Sequence, residues 1–106
     1  MTRLRVERSP RSGQDIVEIA VALGEHDPRL IDRFFEAIER ALDLLAEHPQ
    51  AGSPYHSIDR RLGGLRKWPV PGFPNHWLFY RPSLEAILVV RVLYAGRDLQ
   101  AVLGEE

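Results

Sequence analysis

Basic and aromatic side chains are interleaved between residues 66 and 97, and together they could bind a nucleic acid. Arginine can hold a phosphate through two parallel hydrogen bonds, and aromatic rings can stack on bases. The alternative is that the rings form the core of a sheet while the cations face water. Strict alternation over 77–80 places two of the four side chains on each face of a strand, so at least half of these rings are expected in the core. The residues concerned are Arg66, Lys67, Arg81, Arg91 and Arg97, interleaved with Trp68, Trp77, Phe79, Tyr80 and Tyr94.

Arg91 stands inside the most apolar stretch of the sequence, AILVVRVLY at 86–94. A strand of this composition is expected to be central and buried on both faces. A buried arginine needs a charged partner, because losing its water shell is costly. We therefore expect Arg91 to be exposed or to lie at an interface.

Charge is unevenly distributed along the 106 residues, although the net charge is only −1. Between residues 60 and 97 there are six arginines and Lys67 against Glu85 alone, whereas residues 14–59 hold ten acids and three arginines. A basic block of this kind is typical of a protein with an acidic or phosphate-bearing partner. The alternative is that the acidic and basic parts neutralise each other within the fold.

No residue pattern indicates a metal, a nucleotide or another cofactor. The histidines at positions 26, 48, 56 and 76 share no ligand spacing, and the sequence has no cysteine. The glycine-rich motifs that hold nucleotide phosphates are missing. Acids at spacings of three and four, as in the second predicted helix, are typical of a solvated helix face rather than an acid–base pair. These acids are Asp32, Glu36, Glu39, Asp43 and Glu47.

The periodicities predict an α+β fold in one domain spanning residues 1–106. Ser9-Pro10 and Asp27-Pro28 each have the form of a cap followed by proline at a helix start. They open helices that we expect to end at Gly24 and before Pro49, and that form a helical hairpin on one face of a small, mainly antiparallel sheet. The order is β-α-α-β-β-β, with strands near 4–8, 65–70, 76–80 and 86–94, a loop at 48–61 and a short helix at 99–103.

The expected location is the cytoplasm. No apolar run follows the first five residues, so they do not resemble a secretory signal. The longest apolar stretch, 86–90, is far shorter than the ~20 residues that a membrane-spanning helix needs.

Four segments of the sequence, together with the order of the predicted helices and strands, resemble the RelE/ParE toxin superfamily of bacterial type II toxin–antitoxin modules. The resemblance extends from Val6 to Leu103. Its most specific parts are the turn at 49–52, the start of the second strand at Leu65-Arg66 and the exit from the last strand at 94–98. The segments are LAEHPQAGSP, GLRKWPV, HWLFYR and VVRVLYAGRDLQAVL.

The superfamily implies two different activities. RelE-like toxins cut mRNA on the ribosome without a metal, with basic and tyrosine side chains, whereas ParE-like toxins block DNA gyrase and have no known catalytic residues. Arg66, Lys67 and Arg97 match basic positions of the RelE-like set. Trp77, however, stands where that set has an arginine, and residues 99–103 contain no tyrosine. Because catalytic groups that act together also fail together, these losses favour the ParE-like branch.

The resemblance therefore implies a gyrase inhibitor that needs no cofactor. Its target contacts are expected to be Arg66, Lys67, Arg91 and Arg97. One alternative is a ribosome-dependent endonuclease that uses Arg66, Lys67 and Arg97, with His76 or Tyr94 replacing the lost groups. Another is a degenerate module that binds an antitoxin without being toxic.

Both branches imply a cognate antitoxin, with a DNA-binding N-terminal domain and an acidic, partly apolar tail that folds over the toxin. We expect a toxin–antitoxin hetero-oligomer in which this tail occupies the groove beside the helical hairpin and contacts the basic region. The expected antitoxin contacts, partly exposed at the groove, are Ile31, Phe35, Ile38 and Leu42.

Overall fold

The structure, a computed structural model, describes residues 3–56 and 63–95. The short helix predicted at 99–103 lies outside these residues. The described helices and strands follow one another in the predicted order, with one additional strand. They are β1 (Arg5–Arg8), α1 (Pro10–His26), α2 (Arg29–Glu47), β2 (Ser53–Pro54), β3 (Arg66–Val70), β4 (Phe73–Pro82) and β5 (Ala86–Tyr94).

The first helix begins at its predicted cap, whereas α2 begins at Arg29, one residue later than predicted, with Pro28 in the cap position. The Ser9 hydroxyl accepts a hydrogen bond from the Ser12 N–H at 3.0 Å, and Pro10 supplies a first residue that needs no hydrogen-bond acceptor. The Asp27 carboxylate likewise accepts the N–H of Arg29, the first residue of α2, at 3.0 Å. These contacts satisfy backbone donors that have no partner within the helix.

Gly24 does not end α1, which continues to His26. Its role is to permit close helix packing, because a Cβ built at Gly24 would lie 2.6 Å from Ile31 Cδ1. The predicted end of the first helix is therefore wrong. A glycine inside a helix costs stability, and here it lets the Ile31 side chain of α2 lie directly on the backbone of α1.

The five strands form one mixed sheet in the order β1-β5-β4-β3-β2. The first strand pairs in parallel with the last, from Arg5 opposite Ala86 to Arg8 opposite Val89. All other neighbours are antiparallel. The segment predicted as a loop at 48–61 contains β2, whose two residues are too few to produce a periodic pattern.

Side chains of the sheet are buried on both faces. On the face covered by the helices, Leu78 and Tyr80 join a core with Phe34, Ile38 and Leu45. On the opposite face, Phe79 packs in a second cluster with Leu65, Val90 and Leu93. The alternation predicted for 77–80 is confirmed, and so is the burial of β5 on both faces. Within the described ranges, no helix has the length and hydropathy to span a bilayer.

Candidate functional site

Arg66, at the start of β3, holds the turn between α2 and β2. Its guanidinium Nη1 donates to the carbonyl oxygens of Gly52 at 2.5 Å and Gln50 at 3.3 Å. A guanidinium with backbone acceptors already in place is oriented toward the protein itself. Arg66 is half-buried, so the first of the predicted target contacts has a structural task.

Tyr80 fastens the same turn from the sheet. Its hydroxyl donates to the Pro49 carbonyl at 2.8 Å and accepts the Gly52 N–H at 2.9 Å. Burial raises the pKa of Tyr80, so the hydroxyl keeps its proton at neutral pH and remains a donor. A Cβ at Gly52 would lie 2.5 Å from the Tyr80 oxygen, so only glycine fits there. The 49–52 turn, one of the most specific parts of the family resemblance, is therefore a structural junction.

Lys67 points to the opposite face of the sheet from Arg66. Arg66 is paired with Tyr80, whose side chain faces the helices, and Lys67 with Phe79, whose side chain faces away from them. The Lys67 ammonium lies 4.9 Å from the centre of the Trp77 ring, a cation–π distance. These adjacent cations consequently cannot contact one phosphate together.

The expectation that Arg91 is exposed is wrong. Arg91 is 1% exposed and forms a two-point ion pair with Asp15, which is 5% exposed. Nε lies 2.7 Å from Oδ2 and Nη2 lies 3.0 Å from Oδ1. The partner is 76 residues away in the sequence, where it looked like one acid among many in an amphipathic helix.

The environment of Asp15 explains how β5 can hold an arginine in its interior. The pairing of β5 with β1 ends at Val89, and the Ser9 hydroxyl donates to the next carbonyl, that of Val90, at 2.8 Å. Asp15 then accepts the Val92 N–H at 3.0 Å in addition to the guanidinium. The start of α1 thus replaces β1 along this edge of β5. Arg97, the fourth predicted target contact, lies outside the described residues.

His76 and Tyr94 are brought together at the end of the sheet. They face each other across β4 and β5, with ring centres 5.6 Å apart. Phe34 and Phe73 also pack on His76, at ring distances of 5.7 and 6.3 Å. The His76 Nδ1 is buried and has no hydrogen-bond partner in the described part of the chain. Burial lowers the pKa of His76, so the ring is neutral at pH 7.

The two rings line an apolar cleft of about 300 Å³ beside α1. No arginine or lysine is among the described residues that line it, and the one acid among them, Glu18, would repel a phosphodiester. His76 and Tyr94 are therefore adjacent, but the described residues around them supply no cation for RNA cleavage. The lining residues are Glu18, Ile19, Ala22, Leu23, His26, His76 and Tyr94.

The four predicted antitoxin contacts divide into two groups. Ile38 and Leu42 are only 1% and 2% exposed, so their expected partial exposure is wrong. They lie in the middle of the apolar stripe that α2 turns toward the core. Ile31 is half-buried and Phe35 is 38% exposed, at the flank of that stripe.

The neighbouring helix adds two exposed apolar side chains that the sequence analysis missed. Val17 and Val21 on α1 are 53% and 56% exposed. Gly24 of α1 packs on Ile31 of α2, and the two helices run antiparallel. One turn back along α1 from Gly24 is Val21, and one turn forward along α2 from Ile31 is Phe35, so Val21 and Phe35 lie near each other. We call Val17, Val21 and Phe35 the hairpin ridge. The spacing of the two valines, four residues apart, could have indicated it, but their neighbours Ile16 and Ala20 dominate the periodicity.

Over residues 3–56 and 63–95, no group of three or more histidine or acidic side chains is placed to hold a metal ion. The described residues thus offer a turn fixed by Arg66 and Tyr80, a lysine on a tryptophan, an apolar cleft and an apolar ridge. The candidate cations in this part of the chain do not converge, because Arg66 and Lys67 lie on opposite faces of the sheet and Arg91 is buried.

Comparison with known proteins gives the family. A family model described as the ParE toxin of the type II toxin–antitoxin system, parDE, matches residues 6–99. A structure titled "Chromosomal ParDE TA system from P. aeruginosa" shares the fold, with a TM-score of 0.71 and 14% sequence identity over 87% of this chain and 96% of that one. No curated protein sequence matches the chain. Since the family model covers most of the chain, the protein belongs to the ParE toxin family of type II toxin–antitoxin systems.

Proposed function

We propose that this protein is a cytoplasmic toxin that inhibits DNA gyrase and is neutralised by a cognate antitoxin. The proposal rests on the match of the ParE toxin family model to residues 6–99. It agrees with the arrangement of the candidate cations, which is the observation that separates this reading from RNA cleavage.

A metal-independent ribonuclease needs several basic groups around one phosphate, because they must stabilise the charge of the transition state together. Here Arg66 is bonded to backbone carbonyls and Lys67 projects from the opposite face. Arg91 is held by Asp15. Trp77, at the position where RelE-like toxins have an arginine, lies beneath Lys67. This dispersal supports a toxin that acts by binding.

We assign direct target contact to Lys67, together with Arg97 on the evidence of the sequence alone. The Lys67 ammonium lies over the Trp77 ring, and no carboxylate of the described residues forms an ion pair with it. Arg66 supports this surface indirectly by fixing the 49–52 turn next to β3. Arg91 is buried and supports the fold through its ion pair with Asp15, without contacting the target.

The proposed antitoxin carries a DNA-binding N-terminal domain, and its tail contacts the helical hairpin at Phe35 and Ile31. Phe35 is the most exposed of the residues predicted for this role. A large apolar ring that remains accessible on a helix is a typical anchor for a partner segment.

The decisive experiment is to induce the chain alone in a bacterium while measuring DNA and protein synthesis by label incorporation, followed by a supercoiling assay with purified gyrase. We expect DNA synthesis to fall first and supercoiling to be inhibited in vitro. Lys67→Ala should weaken inhibition, whereas Arg40→Ala, at an exposed cation of α2 on the other side of the sheet from Lys67, serves as the matched control.

Other outcomes separate the alternatives. An earlier fall in protein synthesis, with cleaved mRNA, would establish the endonuclease. Normal synthesis of both polymers by cells that contain folded protein would identify a non-toxic antitoxin-binding module. Full inhibition by Lys67→Ala would remove that residue from the target surface.

A further inference from the structure

The hairpin ridge points to a second copy of this chain as its partner. We propose that two molecules associate through α1, packed antiparallel about a two-fold axis that passes between Val17 and Val21. The inference does not depend on gyrase inhibition. It concerns the chain free of antitoxin, because the proposed antitoxin tail and a second copy would both bind at Phe35. It is carried by the exposure of the ridge, by the open surface next to it and by the order of charges along α1.

The ridge concentrates exposed apolar surface. Six large hydrophobic side chains are exposed in the described part of the chain, and three of them, Val17, Val21 and Phe35, form the ridge. Gly13 continues the line one turn before Val17, and beyond the adjacent backbone of its own helix no atom lies within 4 Å of a Cβ built there. A neighbouring backbone can therefore approach α1 closely, as helices do where a small residue lies at their contact.

The charges along α1 are complementary to themselves when the helix is reversed. Arg11, Glu18 and Glu25 recur every seven residues, so they share one flank of the helix beside the ridge. All three are exposed, and none forms an ion pair with another described residue. The basic residue begins the row and the acidic residues follow it.

An antiparallel copy brings opposite charges together at both ends. With Val17 opposite Val21 of the copy, the axis passes near residue 19, and Arg11 lies about 12 Å from it at 1.5 Å per residue. Glu25 lies about 9 Å from the axis on the other side. Arg11 of each molecule consequently meets Glu25 of the other, at two symmetric positions.

The same geometry brings two like charges together. Glu18 lies next to the axis and therefore faces Glu18 of the copy, which weakens the association. On the opposite flank, where α2 lies, the same symmetry places the two Phe35 rings near each other. The structure thus predicts a dimer with an apolar centre, two ion pairs and one repulsive pair of glutamates.

Sedimentation equilibrium of the full chain, prepared by cell-free synthesis, tests the proposal over a wide concentration range. We expect a monomer–dimer equilibrium. Val21→Glu and Arg11→Glu should each raise the dimer dissociation constant about tenfold or more, because a buried or repelled charge costs at least the ~1.4 kcal/mol that a tenfold change represents. Glu18→Gln should lower the dissociation constant.

The double variant Arg11→Glu/Glu25→Arg decides the orientation. It reverses both ends of the charge row and should restore dimerisation to near the level of the unchanged chain. Leu84→Glu, at an apolar side chain that is 97% exposed in the turn before β5, is the control and should have no effect. Circular dichroism confirms that each variant is folded.

Three results would overturn the proposal. The first is a chain that stays monomeric at all concentrations. The second is a dimer that Leu84→Glu disrupts as much as Val21→Glu does. The third is a double charge reversal that fails to recover what Arg11→Glu loses, which would exclude the antiparallel pairing of α1.

Discussion

Gly52 occupies a position where the phenol of Tyr80 leaves no room for a side chain. The carbonyl of Lys67 closes the other side, 2.8 Å from where a Cβ would stand. Backbone on one side and a buried, doubly hydrogen-bonded ring on the other cannot yield cheaply. Position 52 therefore accepts only glycine, because there is no space for a side chain.

Gly52→Ala should lower the free energy of unfolding by about 2–3 kcal/mol, because overpacking at a rigid site costs about this much. It would also break the hydrogen bonds of Tyr80. Urea denaturation measures the change. Gly13→Ala is the matched control: with open space around it in α1, it should stabilise the protein by about 0.5–1 kcal/mol. Equal effects of the two variants would show that the contact at Gly52 is not tight.

His76 should make the protein less stable in acid. Its pKa is lowered in the folded state from the ordinary 6.5 because burial disfavours the charged ring. The unfolded chain then binds a proton more readily, so the stability due to the neutral ring is fully present above pH 6.5 and is lost as the pH falls toward the folded pKa. The other titratable groups at the cleft are Glu18, His26 and Tyr94.

His76→Phe should remove this acid sensitivity, since phenylalanine suits the aromatic surroundings and does not titrate. The measurement is the free energy of unfolding between about pH 7.5 and 5. His56→Gln, at an exposed histidine, should keep the slope of the unchanged protein. An unaltered slope in His76→Phe would assign the acid sensitivity to other groups.

At the scale of elements, side chains along β3 alternate between the two faces of the sheet, which places the neighbouring cations Arg66 and Lys67 on opposite faces. Arg66→Ala should lower stability by about 1–2 kcal/mol, since the Gly52 carbonyl loses a charged donor. Lys67→Ala should change stability by less than about 0.5 kcal/mol while weakening the target interaction. Thermal denaturation and the gyrase assay together distinguish the two roles. Parallel loss of stability and inhibition in both variants would contradict this division.

The elements that could be predicted are those with strong local signals. The caps at Ser9 and Asp27 and the apolar stripe of α2 located the helices, and the composition of 86–94 located β5. Local pattern contains no information on the Asp15–Arg91 pair, whose members meet only after the sheet forms. It also cannot tell that Gly24 serves packing instead of ending a helix. The candidate site was predicted less well, because exposure depends on such contacts.

At the scale of the whole molecule, two acids of α2 pair with arginines near the start of the chain, which lie outside the basic block at 60–97. Arg3 bonds Asp43 and Arg8 bonds Glu39, both at 2.6 Å, so the arginines around β1 neutralise acids of α2. Exposed pairs of this kind contribute at most about 1 kcal/mol each. They orient β1 against α2 more than they stabilise the fold.

The Asp15–Arg91 pair, in contrast, joins α1 to the interior of the sheet. Arg91→Ala should cost about 3–5 kcal/mol, because it leaves a buried carboxylate without its partner. The double variant Asp15→Leu/Arg91→Met should cost clearly less than Arg91→Ala, since no charge then remains buried. Denaturation of the unchanged protein and of these two variants provides the test. A double variant that loses as much stability as Arg91→Ala would show that the unpaired carboxylate is not the source of the loss.

The pairing of β1 with β5 has a consequence during protein synthesis. β1 cannot find its neighbour until residues 86–89 have been made, and at about 5–20 residues per second this takes roughly 4–16 s after β1 leaves the catalytic centre of the ribosome. Throughout this interval the growing chain lacks a complete sheet, and Asp15 has no arginine to bind. A nascent chain that has not yet reached β5 therefore cannot form the five-stranded sheet of this fold, because β5 lies between β1 and β4.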